Sequence, residues 1–479
     1  PGGRPPVGHA AGVSDGPRLL RLDVSREVAL ERATAIVCDA WRSFDQARPD
    51  QPPIDARIRE LLTEPLPEQA SPALQVLEEA GHVLDASLAQ PRPRYFAFVG
   101  SSGLEIGVLG DLLASCYDVN LAAWAAAASE LEEHAVRWVG AFVGYPAAAG
   151  AFTSGGTVSN VTALAAAREH ALPGSRQAGL TGRRMAVYCS EEAHYSVDRA
   201  CELLGIGAAN VRSLPLDGAR GIVPERLAET IDADLRAGIV PVAVVATAGT
   251  TLTGAIDPIA AIADVCEARG VWLHVDGAYG LPAAAVTVAA PRFAGLERAS
   301  SVSVDAHKWM YLPKACGVVL VKERRHLEAA FLHEEAYFPH ERNQPHAVDI
   351  TLEYSRPFRA LKLWLAFRAL GAGAFREAIA NNLRQARLLY EEVVAHPALE
   401  ALCGPPQLSI VPFRHVAAPG DLDAHNAALV EAIQGDGRIW VAPAIVDGQT
   451  CLRPCLVNFR TTDDDVRALV EVAVELGAG

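Results

Sequence analysis

Residues 271–280 read Val-Trp-Leu-His-Val-Asp-Gly-Ala-Tyr-Gly, a near-continuous apolar run closed by an acid and small residues. That is the pattern of a strand buried on both faces of a parallel sheet. It puts Asp276 at the strand's C-terminal end, where open α/β sheets gather their ligands. Further on, residues 301–309 read Ser-Val-Ser-Val-Asp-Ala-His-Lys-Trp, a second short strand that delivers Lys308 to its exit between His307 and Trp309. Desolvating an ammonium is expensive. The expense is tolerable for a lysine used covalently, as an imine to an aldehyde cofactor. Taken alone, Lys308 also reads as a lysine snorkelling out of a strand end, and Asp276 as a cap on the next helix. Together they match what pyridoxal 5′-phosphate requires. The carboxylate pairs with the protonated pyridine nitrogen, the lysine holds C4′, and Ala278 offers a methyl to one ring face.

Ser154-Gly155-Gly156-Thr157 precedes a helical stretch, so free N–H groups and the helix dipole can receive a phosphate there. Gly155 and Gly156 allow close approach, the Thr157 hydroxyl can donate, and Asn160 lies one turn inside, as a helper or a plain polar residue. With Arg94-Tyr95-Phe96, Ala193-His194-Tyr195-Ser196, the Asp276 strand, His307-Lys308-Trp309 and Ser355-Arg356-Pro357-Phe358-Arg359-Ala360-Leu361-Lys362-Leu363-Trp364, six motifs stand in register. The chain resembles the group II pyridoxal-phosphate-dependent decarboxylases, the class of aromatic-L-amino-acid, histidine, tyrosine and glutamate decarboxylases, from about Pro93 to Phe459.

The resemblance implies an α/β fold of type I, aspartate-aminotransferase-like. Its large domain carries a mainly parallel seven-stranded sheet, followed by a small α/β domain. It implies a homodimer with shared active sites, on whose partner subunit the N-terminal helices pack. By the same resemblance His194 stacks on the pyridine ring and takes part in protonation, a task suited to imidazole. Thr247 contacts the cofactor and His307 faces its phosphate. Asp305 stands where many relatives have Asn; a carboxylate repels a phosphate unless turned away or hydrogen-bonded, so Asp305 is not assigned as a ligand. Leu121-Ala122-Ala123-Trp124 with Phe96, Phe98 and Ser101 resembles the family's side-chain pocket. Ala122 and Ala123 leave room there for a large side chain. Arg356 and Arg359 are candidates for a carboxylate or a structural ion pair, with pairing the favoured role. No metal ligands are assigned.

The implied reaction is decarboxylation of an L-amino acid with an aromatic or other bulky side chain, through Lys308, to the amine. One departure opens an alternative. The family's lid, shortly before the arginine-rich helix start, often carries a tyrosine that protonates the reacting carbon. Residues 344–353 here hold none; Tyr337 and Tyr354 flank the stretch, and His346 is the acid that could replace it. In relatives lacking that tyrosine oxygen can intervene, giving aldehyde, ammonia and peroxide. A non-catalytic binding protein on the same fold is a second alternative.

The composition sets outer bounds. The 479 residues are 50% hydrophobic, with a formal charge of −15 and a pI near 5.4, which argues against nucleic-acid or anionic-membrane partners. No apolar stretch is long enough for a membrane span. Nine cysteines without a Cys-x-x-Cys pair read as reduced thiols of a cytoplasmic protein. Along the chain we expect a disordered tail over 1–17, a helical dimerisation segment over 18–106, a large cofactor-binding domain over 107–365 and a small domain over 366–479. Helical spacing predicts helices over 24–44, 72–88, 129–143 (with Ser129 as N-cap), 159–170, 360–396, 421–434 and 463–476. Strands are expected at 185–189, 242–247, 271–276, 300–305 and 316–321, and a small sheet from 408–413, 439–443 and 452–459.

Overall fold

The computed structural model describes residues 20–47, 54–100, 102–333 and 346–478. The expected disordered tail over 1–17 therefore lies outside the described residues. The described residues fall into two compact units, one within Pro1–Ser43 and Gln51–Ala89, the other within Phe44–Asp50 and Gln90–Gly479. The first holds α1 (Arg26–Phe44), α2 (Ala56–Leu61) and α3 (Ala73–Asp85). Residues 90–106, read above as part of the N-terminal segment, belong to the second unit. Phe96 N–H donates to Trp440 O at 2.7 Å and Cys455 N–H to Phe96 O at 2.9 Å, and Arg94 pairs with Asp465 at 2.8 Å. These bonds stitch the Arg94-Tyr95-Phe96 motif into the C-terminal part.

The second unit is built on a seven-stranded sheet of β1 (Ala149–Thr153), β2 (Met185–Ser190), β3 (Val211–Leu214), β4 (Val240–Thr247), β5 (Trp272–Asp276), β6 (Ser301–Asp305) and β7 (Gly317–Val321). Their order is β1-β7-β6-β5-β4-β2-β3. The run from β6 to β3 is parallel, and β7 runs antiparallel to both β1 and β6. The expected mainly parallel seven-stranded sheet is the one found. The register aligns Thr247 with Asp276, Asp276 with Ser303, and both Thr153 and Asp305 with Gly317. Every strand that bears a candidate site residue thus ends at one edge of the sheet.

Covering helices are α4 (Glu105–Tyr117), α5 (Ala127–Val143), α6 (Gly156–Ala171), α7 (Ser175–Ala178), α8 (Ser196–Leu203), α9 (Pro224–Arg236), α10 (Ile259–Arg269) and α11 (Arg324–Phe331). The central strands are buried throughout, which is why they read as apolar runs rather than alternations. Two strands escape the sequence reading for opposite reasons. The small residues of β1, Ala-Gly-Ala-Phe-Thr, lack a β-branched signal, and β3 is a half-exposed edge strand of four residues. Ser129 is not the N-cap of its helix. The helix begins at Ala127, and the buried Ser129 hydroxyl accepts from Ala125 N–H at 2.9 Å. Likewise α6 starts at Gly156 rather than 159, so the glycine turn is itself the first turn.

Helix α12 (Ala360–Ala395), interrupted at Gly371 (φ 76°), leads into the small domain. There β8 (Leu399–Ala401), β9 (Phe413–His415), β10 (Pro443–Val446) and β11 (Gln449–Leu452) form a four-stranded antiparallel sheet backed by α13 (Leu422–Asp436) and α14 (Asp463–Gly477). The expected strands at 408–413, 439–443 and 452–459 are mostly irregular segments instead. Their apolar side chains, Leu408, Ile410, Ile439 and Leu456, are buried, so hydrophobicity without ladder pairing produced the signal. The β10–β11 turn at Asp447-Gly448 has positive φ at both positions, 50° and 78°, the tight hairpin turn that Asp-Gly favours.

One buried ion pair positions the large domain beneath the site. The Arg356 side chain is fully buried and donates to Glu132 on α5 and to Phe152 O of β1, each at 2.7 Å. Glu353 pairs with Arg359 at 2.6 Å, which gives both arginines the structural role. Removing one member leaves a buried charge uncompensated, so Glu132→Ala should cost about 3 kcal/mol or more. Denaturant titration checks this, and a loss below about 1 kcal/mol, the worth of an exposed pair, would refute it.

Candidate active site

Lys308 leaves β6 through a turn closed by its N–H donating to Asp305 O at 2.9 Å. Its side chain remains 24% exposed, and its ammonium lies 3.0 Å from Asp305 Oδ2. Burial alone would lower the lysine pKa; Asp305 and Asp276 outweigh it and hold the ammonium above its usual range. His307 accepts from Cys316 N–H at its Nδ1, 3.1 Å away. Its Nε2 therefore carries the proton of the neutral ring, and lies 3.8 Å from Asp305 Oδ2. Burial lowers the His307 pKa.

Asp276 ends β5 inside a polar chain that runs beneath the cavity. Its Oδ1 accepts from Ala278 N–H and Ser303 Oγ–H, each at 3.1 Å. Its Oδ2 accepts from Asn160 Nδ2 at 2.8 Å. Burial would raise this carboxyl, but neighbouring His274 and Lys308 and the N–H donors outweigh it and keep the pKa below its ordinary value. Because a carboxylate only accepts, the Asn160 amide orientation follows. Its second N–H goes to Ser196 Oγ at 2.9 Å, and its Oδ1 takes His274 Nε2–H at 3.0 Å. His274 is fully buried in the strand and desolvation pushes its pKa down to about 4. The neutral ring then accepts at Nδ1 from Ser301 Oγ, 2.9 Å away, and Ser301 in turn accepts from Trp272 Nε1–H at 2.9 Å.

The same chain reaches His194. Ser196 Oγ is 2.9 Å and Ser196 N–H 3.2 Å from His194 Nδ1. With Nδ1 accepting, the neutral imidazole carries its proton on Nε2, and burial lowers its pKa.

Lys308, His307, Asp305, Asp276, Asn160, Ser196 and His194 line one cavity of about 340 Å³, with Ser154, Gly155, Gly156, Thr157, Thr247, Ala278 and Tyr279. The donor set fits pyridoxal phosphate. Gly156 opens α6, where unpaired N–H groups favour an anion. A methyl on Gly156 would sit 2.8 Å from Ala278 Cβ, so only glycine lets the turn approach that closely. The Thr247 hydroxyl is buried and has no partner among the described residues, while its backbone N–H is anchored to Asp257 at 2.6 Å. An orphan hydroxyl, an ionised carboxylate and a lysine facing one cavity are the three groups such a cofactor satisfies.

The structure therefore brings together Lys308, Asp276, His194, Gly155, Gly156, Thr157, Asn160, Thr247, Ala278 and His307. Among the described residues, it does not bring Phe98, Trp124, His346 or Arg359 to that cavity within the same chain. Phe98 is exposed. His346 is buried and accepts Trp124 N–H at 3.1 Å, away from Lys308, and Arg359 is taken up by Glu353. Ser101 and Tyr337 lie outside the described residues. Missed from the sequence were His274, Ser196 and Ser303, which support Asp276 and His194, and Asp257, which anchors Thr247. His274 carried a readable signal, a polar ring in the middle of an otherwise apolar strand. Asp257 carried none, since its burial comes from a loop that folds back on β4.

Comparison with known proteins agrees with this geometry. Residues 56–416 match the family model described as the pyridoxal-dependent decarboxylase conserved domain. The chain is 32% identical over 437 residues to an aromatic-L-amino-acid decarboxylase of Bacillus atrophaeus, covering 88% of this chain and 89% of that one. It is 33% identical over 425 residues to an L-2,4-diaminobutyrate decarboxylase of Rhizobium meliloti, covering 86% and 83%. The crystal structure of Oryza sativa TDC with PLP and tryptamine superposes with a TM-score of 0.89 at 27% identity, over 96% of this chain and 99% of that one. The match over residues 56–416 and the fold shared with the Oryza structure, around a site assembled from Lys308, Asp276 and the glycine turn, place this chain in the pyridoxal-dependent decarboxylase family.

Proposed function

We propose that the protein removes the α-carboxylate of an L-amino acid with an aromatic or other bulky side chain and releases the amine. The observation that carries this is the pairing, in one cavity, of Lys308 with an Asp276 held ionised by its buried donors. Bound pyridoxal phosphate supplies the electron sink for the bond to the departing CO₂. Asp276 holds the negative charge that keeps the ring nitrogen protonated, and Asn160, Ser303 and Ala278 keep that charge in place. His194 presents a flat, neutral ring whose Nε2 carries a proton toward exchange. Lys308 provides the amine that holds the cofactor and yields it to substrate, and its ammonium lies 3.0 Å from Asp305 Oδ2 before the cofactor binds. The aromatic side chain is supported by the likeness to the Bacillus and Oryza proteins and by Ala122 and Ala123 in the pocket segment. A non-catalytic role finds no support in a site that keeps all of these groups together.

A homodimer in the cytoplasm is part of the same proposal. Leu109, Leu112, Leu113 and Tyr117 make an exposed apolar face along α4, each at least 42% exposed, at the spacing of one helix side. A second copy is the proposed cover. It also explains why Phe98, Trp124 and His346 stay outside the Lys308 cavity of their own chain: in the dimer they serve the neighbouring one. All nine cysteines are free, in keeping with a reducing compartment. No helix among the described residues is long and apolar enough to cross a membrane.

A second reading rests on the lid. Residues 344–353 hold no tyrosine, and the Nδ1 of His346, the substitute acid, is engaged by Trp124 N–H. Slow protonation of the reacting carbon would let O₂ take up its two electrons as peroxide, and hydrolysis would then release aldehyde and ammonia in place of the amine.

Three outcomes are expected. Borohydride treatment of the holoenzyme should attach the cofactor to the peptide containing Lys308, and Asp276→Ala should lower kcat roughly 10²-fold or more with the fold intact by circular dichroism; label on another lysine would end the assignment. Incubation with an aromatic amino-acid panel should yield amine equal to CO₂ without oxygen uptake, whereas aldehyde matching CO₂ would select the second reading. Leu113→Glu should convert dimer to monomer in sedimentation and abolish activity, and an unchanged sedimentation coefficient would remove α4 from the interface.

A further inference from the structure

Asp305 ends β6 with its side chain 2% exposed, and its position conflicts with a phosphate in the glycine turn. A methyl on Gly156 would lie 3.1 Å from Asp305 Oδ2, and one on Gly317 would lie 2.7 Å from Oδ1. The carboxyl is thus wedged between the turn and the start of β7. Oδ1 is buried and has no hydrogen-bond partner among the described residues; Oδ2 has Lys308 at 3.0 Å. An ionised carboxyl only accepts hydrogen bonds. A phosphate ester near neutral pH carries close to two negative charges and also accepts only. Two such groups in a desolvated cleft cannot both stay fully ionised. Resting on the reading of this cavity as the pyridoxal-phosphate site, we propose that seating the phosphate brings one proton into the gap, held on Asp305, whose O–H then donates to a phosphate oxygen.

The sign of the pH effect follows. Before binding, Asp305 is the ionised partner of Lys308; after binding it carries a proton. Binding therefore takes up one more proton than it would with an amide at this position, and retention weakens as pH rises. The other groups near the carboxyl are Lys308 and His307 on its own segment, Asp276 from β5, His194 from the loop after β2, and Cys316 before β7. Burial shifts His194 and His307 downward and the Cys316 thiol up to about 12. All of them remain in an Asp305→Asn variant, so the difference between the two proteins isolates Asp305.

The test measures equilibrium binding of pyridoxal phosphate, and of pyridoxal as the analogue without phosphate, to native protein and Asp305→Asn by visible absorbance. The ratio of native to variant Kd for pyridoxal phosphate should rise about tenfold per pH unit above neutrality, with no such trend for pyridoxal. In weakly buffered solution, native protein should take up one more proton per site with pyridoxal phosphate than with pyridoxal; this needs no variant. A ratio independent of pH, or the same trend with both ligands, overturns the proposal. The latter would put the effect of Asp305 on Lys308 alone. Tight cofactor binding with a flat ratio removes only this inference, whereas failure of native protein to bind either ligand removes the cofactor reading with it.

Discussion

The structure turns on an ionised carboxylate kept in a desolvated place. Asp276 is useful only while charged, and burial by itself would neutralise it. What prevents this is a set of donors drawn from three elements: Ala278 after β5, Ser303 on β6 and Asn160 on α6. Each is placed by sheet register or by the helix that follows the glycine turn. Parallel packing of β5 and β6 is therefore more than scaffold, because it sets the distance between the charge and Ser303, one of the groups that hold it.

From Asn160 the same constraint spreads outward. Asp276 can only accept, so the amide has one orientation and His274 one tautomer. Ser196 is then left to donate to His194, which fixes the proton on the face available to a ligand. A single buried charge thus determines the protonation of two imidazoles. A second set of charged groups, Arg356 with Glu132 and Arg359 with Glu353, holds the end of β1 and the start of α12 without entering the chemistry. The two sets are similar in composition and opposite in use. The difference is access: the Asp276 chain opens onto a cavity of about 340 Å³, while Glu132 and Arg356 border only a space of about 30 Å³.

Burial and pairing are separate matters, and the small domain shows it. Segments 408–413 and 452–459 look like strands because Leu408, Ile410 and Leu456 must be hidden. They are hidden where pairing is limited to Phe413 with Leu452 at the sheet's end and the isolated bridge of Ile410 with Cys455. Conversely β1 is paired along its whole length with β7 yet carries too few branched side chains to be recognised. Hydrophobic content reports burial, and the ladder is decided by neighbours distant in the chain.

Read alone, the sequence determined the α/β class, the five central strands and the set Lys308, Asp276, His194 and Gly155-Gly156. Each of these lies at the end of a strongly apolar run or in a glycine turn, where local pattern and chemistry coincide. Tertiary structure alone decided the rest. Register brought Thr153, Thr247, Asp276 and Asp305 to one edge. Folding-back gave Asp257 its hold on Thr247, and close approach of Gly156 and Gly317 pressed Asp305 into the cavity. It also took His346, Trp124 and Phe98 away from Lys308 of their own chain. The physical reason is common to all four: contacts between residues far apart in the chain depend on strand order and layer packing, which local composition does not encode.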